Sequence, residues 1–241
     1  MEKDKQLMLL EGEQALVRVG VQMGLVNKVL EEDRKEEWNV KLRKLVEDRL
    51  LNELLTESQK CIEEFPNWSF GYFAYGIAEF LLKDYVSAIL AYDKAIELSS
   101  NYDKAHITYR NRGNSKYKLK DCKGAILDYD KAIELNPNNA IAFNNRGHIK
   151  SDLKDYEGAI LDFDKAIELN PKYSAYNNRG NAKLNLKDNT GAILDYDKAI
   201  ELNPNDWQAY HNRSISKNNL EDYEGAKADT EKANNLKNNE K

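Results

Sequence analysis

Arginine and aspartate recur at a fixed spacing from residue 112 onward, and this combination of residue types recognises charge. In four successive segments an arginine is followed by an aspartate sixteen positions later: Arg112 with Asp128, Arg146 with Asp162, Arg179 with Asp195, and Arg213 with Asp229. An earlier segment has Tyr75 and Ala91 at the corresponding places, so the two members are present or absent together. Because a guanidinium fork matches a carboxylate in shape and charge, we predict structural ion pairs between two helices. A ligand site is the alternative.

The residues that most often carry catalysis are scattered along the chain. His106, His148 and His211 do not have the spacing of metal ligands, and Cys61 and Cys122 are predicted to fill small sites in the core or in turns. The sequence has no glycine-rich phosphate loop, no His-Glu-x-x-His helix and no nucleophile motif. We therefore predict no enzyme, no catalytic residue, no metal site and no cofactor.

The composition of the chain excludes some classes of binding partner. The chain has 241 residues and a formal net charge of −5, which argues against a nucleic-acid binder that works through bulk electrostatics. The sequence has no apolar stretch of about 18 residues, so no membrane span is expected. Its first ten residues also lack the plan of a signal peptide. Two cysteines cannot form a disulfide framework, so a reducing, cytoplasmic location is predicted.

Two phrases alternate through most of the sequence. The phrase GAILDYDKAIELNP begins at Gly124 and returns almost unchanged at Gly158 and Gly191, with a looser copy at Ser87 and a divergent copy at Gly225. A shorter phrase that begins with an aromatic residue precedes each copy and ends at Gly76, Gly113, Gly147, Gly180 and Ser214, with spacings of 37, 34, 33 and 34 residues. A period of this length indicates stacked supersecondary units.

Each unit is predicted to be a pair of helices. Apolar residues in the long phrase recur at helical intervals. Asp121, Asp155, Asp188 and Asp222 come just before the phrase, where a helix needs an N-cap. The Asn-Pro that ends three copies cannot continue a helix. Two helices joined by a tight turn therefore account for one period.

These units resemble the tetratricopeptide repeat (TPR) family, whose signature places aromatic, glycine, alanine, aromatic, alanine and proline residues along 34 positions. The matching residues are Tyr109, Gly113, Ala125, Tyr129, Ala132 and Pro137, then Phe143, Gly147, Ala159, Phe163, Ala166 and Pro171, then Tyr176, Gly180, Ala192, Tyr196, Ala199 and Pro204. The resemblance implies an all-α, right-handed superhelical solenoid of antiparallel helix pairs. We predict that it carries an N-terminal helical cap.

The predicted organisation has three parts. The TPR array covers 69–240 in five units, which span 69–105, 106–139, 140–172, 173–206 and 207–240. Residues 35–68 form a degenerate TPR-like hairpin, or a helical hairpin that merely abuts the array. Residues 1–34 form a helical segment with Leu9, Leu16, Val19, Met23, Val26 and Leu30 on one face. A strand is the alternative, because Val17, Val19, Val21 and Met23 also alternate.

In the TPR family the first helix of each unit lines a concave groove, and the resemblance places a column of asparagines there. The column is Asn111, Asn145, Asn178 and Asn212, and its predicted polar neighbours are Arg110, Asn114, Asn144, His148, Asn177, Asn181 and His211. An asparagine amide can pair with a peptide backbone through both donor and acceptor, as in the asparagine ladders of other TPR proteins. The alternatives are a solvated helix face or a feature copied by recent duplication. Some members of the family bind an acidic C-terminus through a set of basic and asparagine residues called the carboxylate clamp. This chain has only half of those residues.

The first unit is predicted to have an apolar groove. Its groove positions include Phe70, Phe73, Ile77, Phe80 and Leu81, and a patch of this size is rarely left exposed. We expect residues 1–34 to fold into it as a permanent or displaceable plug, with an apolar partner segment as the alternative.

Taken together, these features predict a non-catalytic interaction module that binds a peptide or partner protein in its concave groove. Two alternatives remain open at this point. One is a peptide-responsive switch gated by the N-terminal segment, and the other is a homo-oligomeric assembly scaffold. Neither a nucleic acid nor a membrane is a predicted partner. The sequence leaves the partner's identity and the oligomeric state open.

Overall fold

The computed structural model describes the backbone of residues 2–99 and 105–239, and the side chains of this part except those of 2–22, 25, 26 and 173. In this part the chain forms twelve helices and no strand, which confirms the predicted all-α class. The helices are α1 Glu2–Glu47, α2 Leu51–Glu64, α3 Ser69–Leu81, α4 Tyr85–Leu98, α5 Ala105–Lys118, α6 Cys122–Leu135, α7 Ala140–Asp152, α8 Tyr156–Leu169, α9 Tyr173–Asn185, α10 Asn189–Leu202, α11 Trp207–Asn219 and α12 Tyr223–Asn239.

Helices from α3 to α12 pack as five consecutive pairs, and the first helix of each pair begins within one residue of a predicted unit start. Successive first helices, α3, α5, α7, α9 and α11, contact one another, whereas the second helices of the described array do not. Elements on the inner side of a curve are closer together than those on the outer side. The first helices therefore line the concave face of the array.

Close packing inside each pair explains the repeated glycine. A Cβ atom added to Gly113 would lie 2.9 Å from the ring of Tyr129, and one added to Gly147 would lie 2.9 Å from the ring of Phe163. In the last unit Ser214 replaces the glycine, and Thr230 replaces the large aromatic residue. The small residue on the first helix and the large ring on the second are thus one packing unit.

The tight turn between paired helices has a repeated construction. The residue before each aspartate cap adopts a left-handed conformation, with φ of 68° at Lys120 and 66° at Lys154. Asp121 then accepts a hydrogen bond from the backbone N–H of Gly124 at 2.9 Å. Asp155, Asp188 and Asp222 cap their helices in the same way. These bonds confirm the predicted N-caps and fix where each second helix begins.

The N-terminal region differs from the array in the length of its first helix. The helix α1 runs without a break from Glu2 to Glu47, so the predicted boundary between 34 and 35 falls inside it. Its last part pairs antiparallel with α2 through ion pairs of Arg34 with Glu64 at 2.6 Å and Lys41 with Glu57 at 2.5 Å. The core beneath this pair contains buried Leu42, Leu45, Leu54, Cys61, Phe70, Ala74 and Ala78.

None of the helices in the described part combines the length and the apolar character needed to span a membrane.

Candidate functional site

The structure brings together all four predicted pairs of arginine and aspartate. In each pair the guanidinium of the first helix grips the carboxylate of the second helix with two nitrogens. Arg112 donates from Nε to Asp128 at 3.0 Å and from Nη2 at 2.5 Å. The pairs Arg146 with Asp162, Arg179 with Asp195 and Arg213 with Asp229 repeat this geometry.

Each arginine also reaches the preceding unit, a contact that the sequence analysis missed. Arg112 donates from Nη1 to Asp93 at 2.5 Å, and Arg146 donates to Asp130 at 2.6 Å. Asp164 and Asp197 have the same role toward Arg179 and Arg213. These aspartates lie in the long phrase, whose alternating charges are typical of a solvated helix face. The recurrence of these aspartates once per unit is the feature of the sequence from which the contacts could have been predicted.

A lysine and an aromatic ring complete each cluster. Lys116 binds the buried carboxylate of Asp128 at 2.9 Å, and the guanidinium of Arg112 lies 5.2 Å from the ring centre of Tyr109. The same contacts recur in the next three units. Each arginine fork is therefore occupied by two carboxylates and a ring, which favours a structural role over a ligand site.

Within these clusters, the neighbouring charged groups raise the pKa of Arg112 and lower the pKa of Asp229. Burial opposes the charge of Arg112, but its hydrogen bonds to Asp128 and Asp93 outweigh this and raise its pKa. Burial likewise favours protonation of Asp229, yet hydrogen bonds and charges from Arg213 and Lys217 hold its pKa below the ordinary value. Arg112 and Asp229 belong to different clusters, and each is stabilised in its charged form.

The predicted asparagine column forms bonds between neighbouring units. Asn145 donates from Nδ2 to Asn114 Oδ1 at 3.0 Å, and Asn212 donates to Asn181 Oδ1 at 2.8 Å. The same oxygens accept from tyrosine hydroxyls, that of Tyr129 to Asn114 at 2.7 Å and that of Tyr196 to Asn181 at 2.8 Å. Each of these two asparagines is thus held in one orientation by a network that crosses the unit boundary.

The third unit of the array shows that the tyrosine and the accepting asparagine of this network are replaced together. It has Phe163 in place of tyrosine and His148 in place of the accepting asparagine. With that acceptor absent, Asn178 of the next unit donates instead to Asn144 Oδ1 at 3.3 Å. Tyrosine and asparagine therefore occur together where the network forms, and phenylalanine and histidine replace them together where it does not.

The carbonyl side of the column is largely unused. Among the described residues, Oδ1 of Asn178 and Oδ1 of Asn212 accept no hydrogen bond, and Oδ1 of Asn145 has only a 3.5 Å contact from Asn144. Asn111 accepts from Arg110 at 3.3 Å. Two of these half-buried asparagines, Asn178 and Asn212, thus keep carbonyl acceptors without a partner among the described residues.

Other predicted groove residues are placed in different ways. His148 and His211 are exposed, and the ring of His148 meets Tyr117 edge-on at 5.8 Å between centres. Asn177 is only 8% exposed and donates to Asp206 at 3.4 Å, so it belongs to the packing between units rather than to the open groove. The expectation that Asn177 faces the groove is therefore at odds with its burial.

Tyr117 and Asp152 form a contact between two neighbouring first helices, α5 and α7, that the sequence analysis did not single out. The Tyr117 hydroxyl donates to Asp152 Oδ2 at 2.5 Å, across two units. Burial and the adjacent carboxylate raise the pKa of Tyr117 to about 12, so the phenol keeps its proton. This bond therefore links the first helices of two neighbouring units.

The residues of the predicted apolar patch do not lie on one surface. Phe70, Phe73 and Ile77 line an open cavity of about 310 Å³, together with Leu42 and Val46 of α1. Phe80 instead packs against Tyr85 with ring centres 5.5 Å apart, and Leu81 is exposed.

The cover of this cavity differs from the predicted plug. The residues of α1 that line this cavity are Leu42, Arg43, Val46 and Glu47, and the described side chains from Asn27 to Arg34 are exposed. The reason is the unbroken helix. Once residues 34–46 pair with α2 and α3, the preceding residues continue along the same axis and do not turn back over the patch.

Stacked helical hairpins with their first helices on a concave side define an α-solenoid repeat protein. Models of the tetratricopeptide repeat match residues 140–173, 173–206 and 195–228, and a model described as TPR repeat matches residues 113–154. The chain belongs to the tetratricopeptide repeat family, and its helix-pair array is a protein-binding scaffold.

Solved structures share the fold at low sequence identity. MamA (residues 41 to the end) from Desulfovibrio magneticus RS-1 is 18% identical with a TM-score of 0.65, covering 71% of this chain and 96% of its own. YrrB, described as a TPR protein with an unusual peptide-binding site, is 24% identical with a TM-score of 0.62, covering 74% and 91%. BtubC from P. vanneervenii is 16% identical with a TM-score of 0.67, covering 81% and 91%. A comparison with curated protein sequences found no match.

Proposed function

We propose that this protein is a non-catalytic interaction module that holds an extended peptide, or an extended segment of a partner protein, in its concave groove. The observation that carries the proposal is the asparagine column, in which Asn145 and Asn212 are oriented by bonds to Asn114 and Asn181. Among the described residues the carbonyl oxygen of Asn212 has no donor, and that of Asn145 has only the 3.5 Å contact from Asn144, so both can accept from a ligand. Oriented side chains lose little conformational freedom on binding, which favours affinity.

The chemistry of the column suits a peptide backbone rather than one particular side chain. An extended peptide presents N–H donors and C=O acceptors at regular intervals, and one asparagine amide can pair with both. An acceptor with no partner in the described part of the chain, such as Oδ1 of Asn178, gains a hydrogen bond when a backbone N–H arrives. Recognition of side chains would then fall to Arg110, His148 and His211.

A reducing compartment and the absence of catalysis belong to the same proposal. Cys61 is buried and Cys122 is partly buried, and both are free thiols. Burial raises the pKa of the Cys61 thiol to about 12, so it is a poor nucleophile at neutral pH. The described residues contain no cluster of metal-binding side chains. We therefore assign no catalytic role and propose a cytoplasmic location.

The experiment is selection of short random peptides displayed on phage against the intact chain, followed by binding of the selected peptides by fluorescence anisotropy. We expect micromolar affinity, and we expect the double variant Asn145→Ala with Asn178→Ala to weaken binding at least about tenfold, since each lost bond is worth roughly 1 kcal/mol.

Asn138→Ala is the matched control, because Asn138 is an exposed asparagine in the loop before α7. It should leave peptide affinity unchanged. Thermal melting of all variants separates lost binding from lost folding. Undiminished binding by the folded double variant would reject the ladder while leaving an interaction module of another geometry possible.

A further inference from the structure

Most of α1 lies beyond the body of the molecule. The pairing of α1 with α2 begins near Arg34, which binds Glu64, the last residue of α2. Residues 2–30, called here the α1 arm, therefore extend past the end of the helix that supports α1. At about 1.5 Å per residue this arm is roughly 43 Å long.

The described part of the α1 arm exposes apolar surface. Met23, Val29 and Leu30 are 61%, 60% and 55% exposed. A Cβ atom added to Gly24 would have nothing within 4 Å. Each of the arm's three glycines weakens a helix by roughly 1 kcal/mol relative to alanine. Because helices in proteins gain most of their stability from packing, an arm of this composition requires a partner surface.

The spacing of the apolar residues defines the shape of that partner. Leu9, Leu16, Met23 and Leu30 follow one another at intervals of seven residues, and Val19 and Val26 lie three residues after the second and third of them. Apolar residues that alternate by three and four positions form a seam with a period of 3.5 residues, slightly less than one helical turn per 3.6. A single helix with the same period covers such a seam along its whole length.

We propose that the α1 arm forms a coiled coil with the α1 arm of a second copy of this chain, so that the protein is a homodimer. An identical arm supplies the same seven-residue period over the same length. Within the arm, the residues four positions after Leu9, Leu16 and Met23 are Glu13, Gly20 and Asn27, so that flank of the seam carries one charged residue. The other flank, formed by Met8, Ala15, Gln22 and Val29, is uncharged, and two arms meet without a row of like charges.

The apolar cavity in the described part of the chain does not supply this partner. The cavity at Phe70 and Phe73 is lined by Leu42 and Val46 of the same helix, at the opposite end from the arm. Since α1 is unbroken between these two places, the arm does not reach that cavity in its own molecule.

A dimer of this kind goes beyond the binding of one peptide. Two concave grooves would be joined through one coiled coil, so a partner with two recognition segments could engage both. The second contact would then be intramolecular and would raise overall affinity without any new contact type.

The test is the mass of the intact chain by sedimentation equilibrium over a range of concentrations. We expect twice the chain mass of 27.8 kDa at high concentration and dissociation on dilution. The double variant Met23→Glu with Leu30→Glu places charges in the seam and should be monomeric throughout. Leu161→Glu is the matched control, since Leu161 is equally accessible at 69% exposure but lies on α8, and it should remain dimeric.

A second variant guards against an effect on folding alone. Met23→Leu keeps the seam apolar and should bind its copy at least as tightly as the original chain. Circular dichroism melts should show the same transition for the repeat array in every variant. A single-chain mass at all concentrations, or an assembly that the charged double variant leaves intact, would overturn the proposal.

Discussion

At the residue scale, the repeated polar side chains form two groups that differ in whether they can still bind a ligand. The arginines are saturated, since each one holds a buried aspartate of its own unit and a half-exposed aspartate of the preceding unit. Several asparagines bond one another across unit boundaries, and Asn178 and Asn212 keep carbonyl acceptors without a partner among the described residues. Saturated charge is suited to holding units together, while unsatisfied but oriented amides are suited to receiving a ligand.

Removal of one arginine should cost more than removal of a whole pair. Arg146→Leu leaves the carboxylate of Asp162 buried with only Lys150 as a partner, so we expect a loss of about 3 kcal/mol in the free energy of unfolding. Arg146→Leu combined with Asp162→Ala should be milder, and urea unfolding measures both.

Lys165→Leu is the control for this comparison. It removes an exposed pair with Glu168 that is worth less than about 1 kcal/mol. Purely additive losses from Arg146→Leu and Asp162→Ala would contradict the assigned coupling.

The tyrosine hydroxyl of the asparagine network should make its own contribution. Tyr129→Phe removes a donor from Asn114 Oδ1 without changing the ring, so we expect a loss of about 1 kcal/mol in unfolding free energy. Tyr223→Phe, at a residue that is 65% exposed, should have no effect. Thermal melts that do not distinguish the two variants would show that the hydroxyl bond is dispensable.

At the element scale, the contact between the two helices of a unit depends on one small residue facing one ring. Gly147 and Phe163 meet so closely that a methyl group would lie 2.9 Å from the ring and 3.1 Å from the backbone oxygen of Ala159. A ring can rotate slightly, but a backbone oxygen within a helix cannot move away without a shift of the whole helix. The two helices are therefore fixed at one separation.

Gly147→Ala should destabilise the third unit of the array, even though alanine is the better helix former. We expect overpacking to cost about 1–3 kcal/mol, measured by chemical unfolding. Ser214→Ala is the control, because the last unit already carries a Cβ at this place opposite Thr230, and it should change stability by less than about 0.5 kcal/mol. A stabilised Gly147→Ala variant would mean that α7 and α8 pack less tightly than described.

At the scale of the whole molecule, the arginine and aspartate clusters form a continuous column. It begins at Asp93 in α4 and ends at Asp229 in α12, and it crosses every boundary between units in the array. In repeat proteins, stability is close to the sum of the units and the interfaces between neighbours. A column that contributes to every interface therefore raises the cooperativity of the entire array.

Stability should accordingly fall in acid. The pKa of Asp229 is lowered in the folded protein relative to its ordinary value of 3.8. Its contribution is then fully present above that value and is lost as the pH falls through the lower, folded pKa. Urea midpoints measured from neutral pH to about pH 2 should show this decline, and Asp229→Asn should reduce its slope. An unchanged slope in Asp229→Asn would indicate that other carboxylates control acid unfolding.

The sequence by itself determined the repeat, the all-α class, the places where the helices of the array begin and the arginine partners within each unit. These features depend on short-range physics, namely helical periodicity, caps such as Asp121, and two residues sixteen positions apart on adjoining helices. The sequence also placed the asparagines in one column, although it could not assign their hydrogen bonds.

The tertiary structure alone decided the contacts that cross from one unit to the next. It joined Asp93 to Arg112 and Asn114 to Asn145, buried Asn177, and placed Leu42 and Val46 beside the apolar cavity. The physical reason is that such contacts depend on how far each unit is translated and rotated against its neighbour. That geometry is the sum of many packing contacts, and no single spacing in the sequence encodes it.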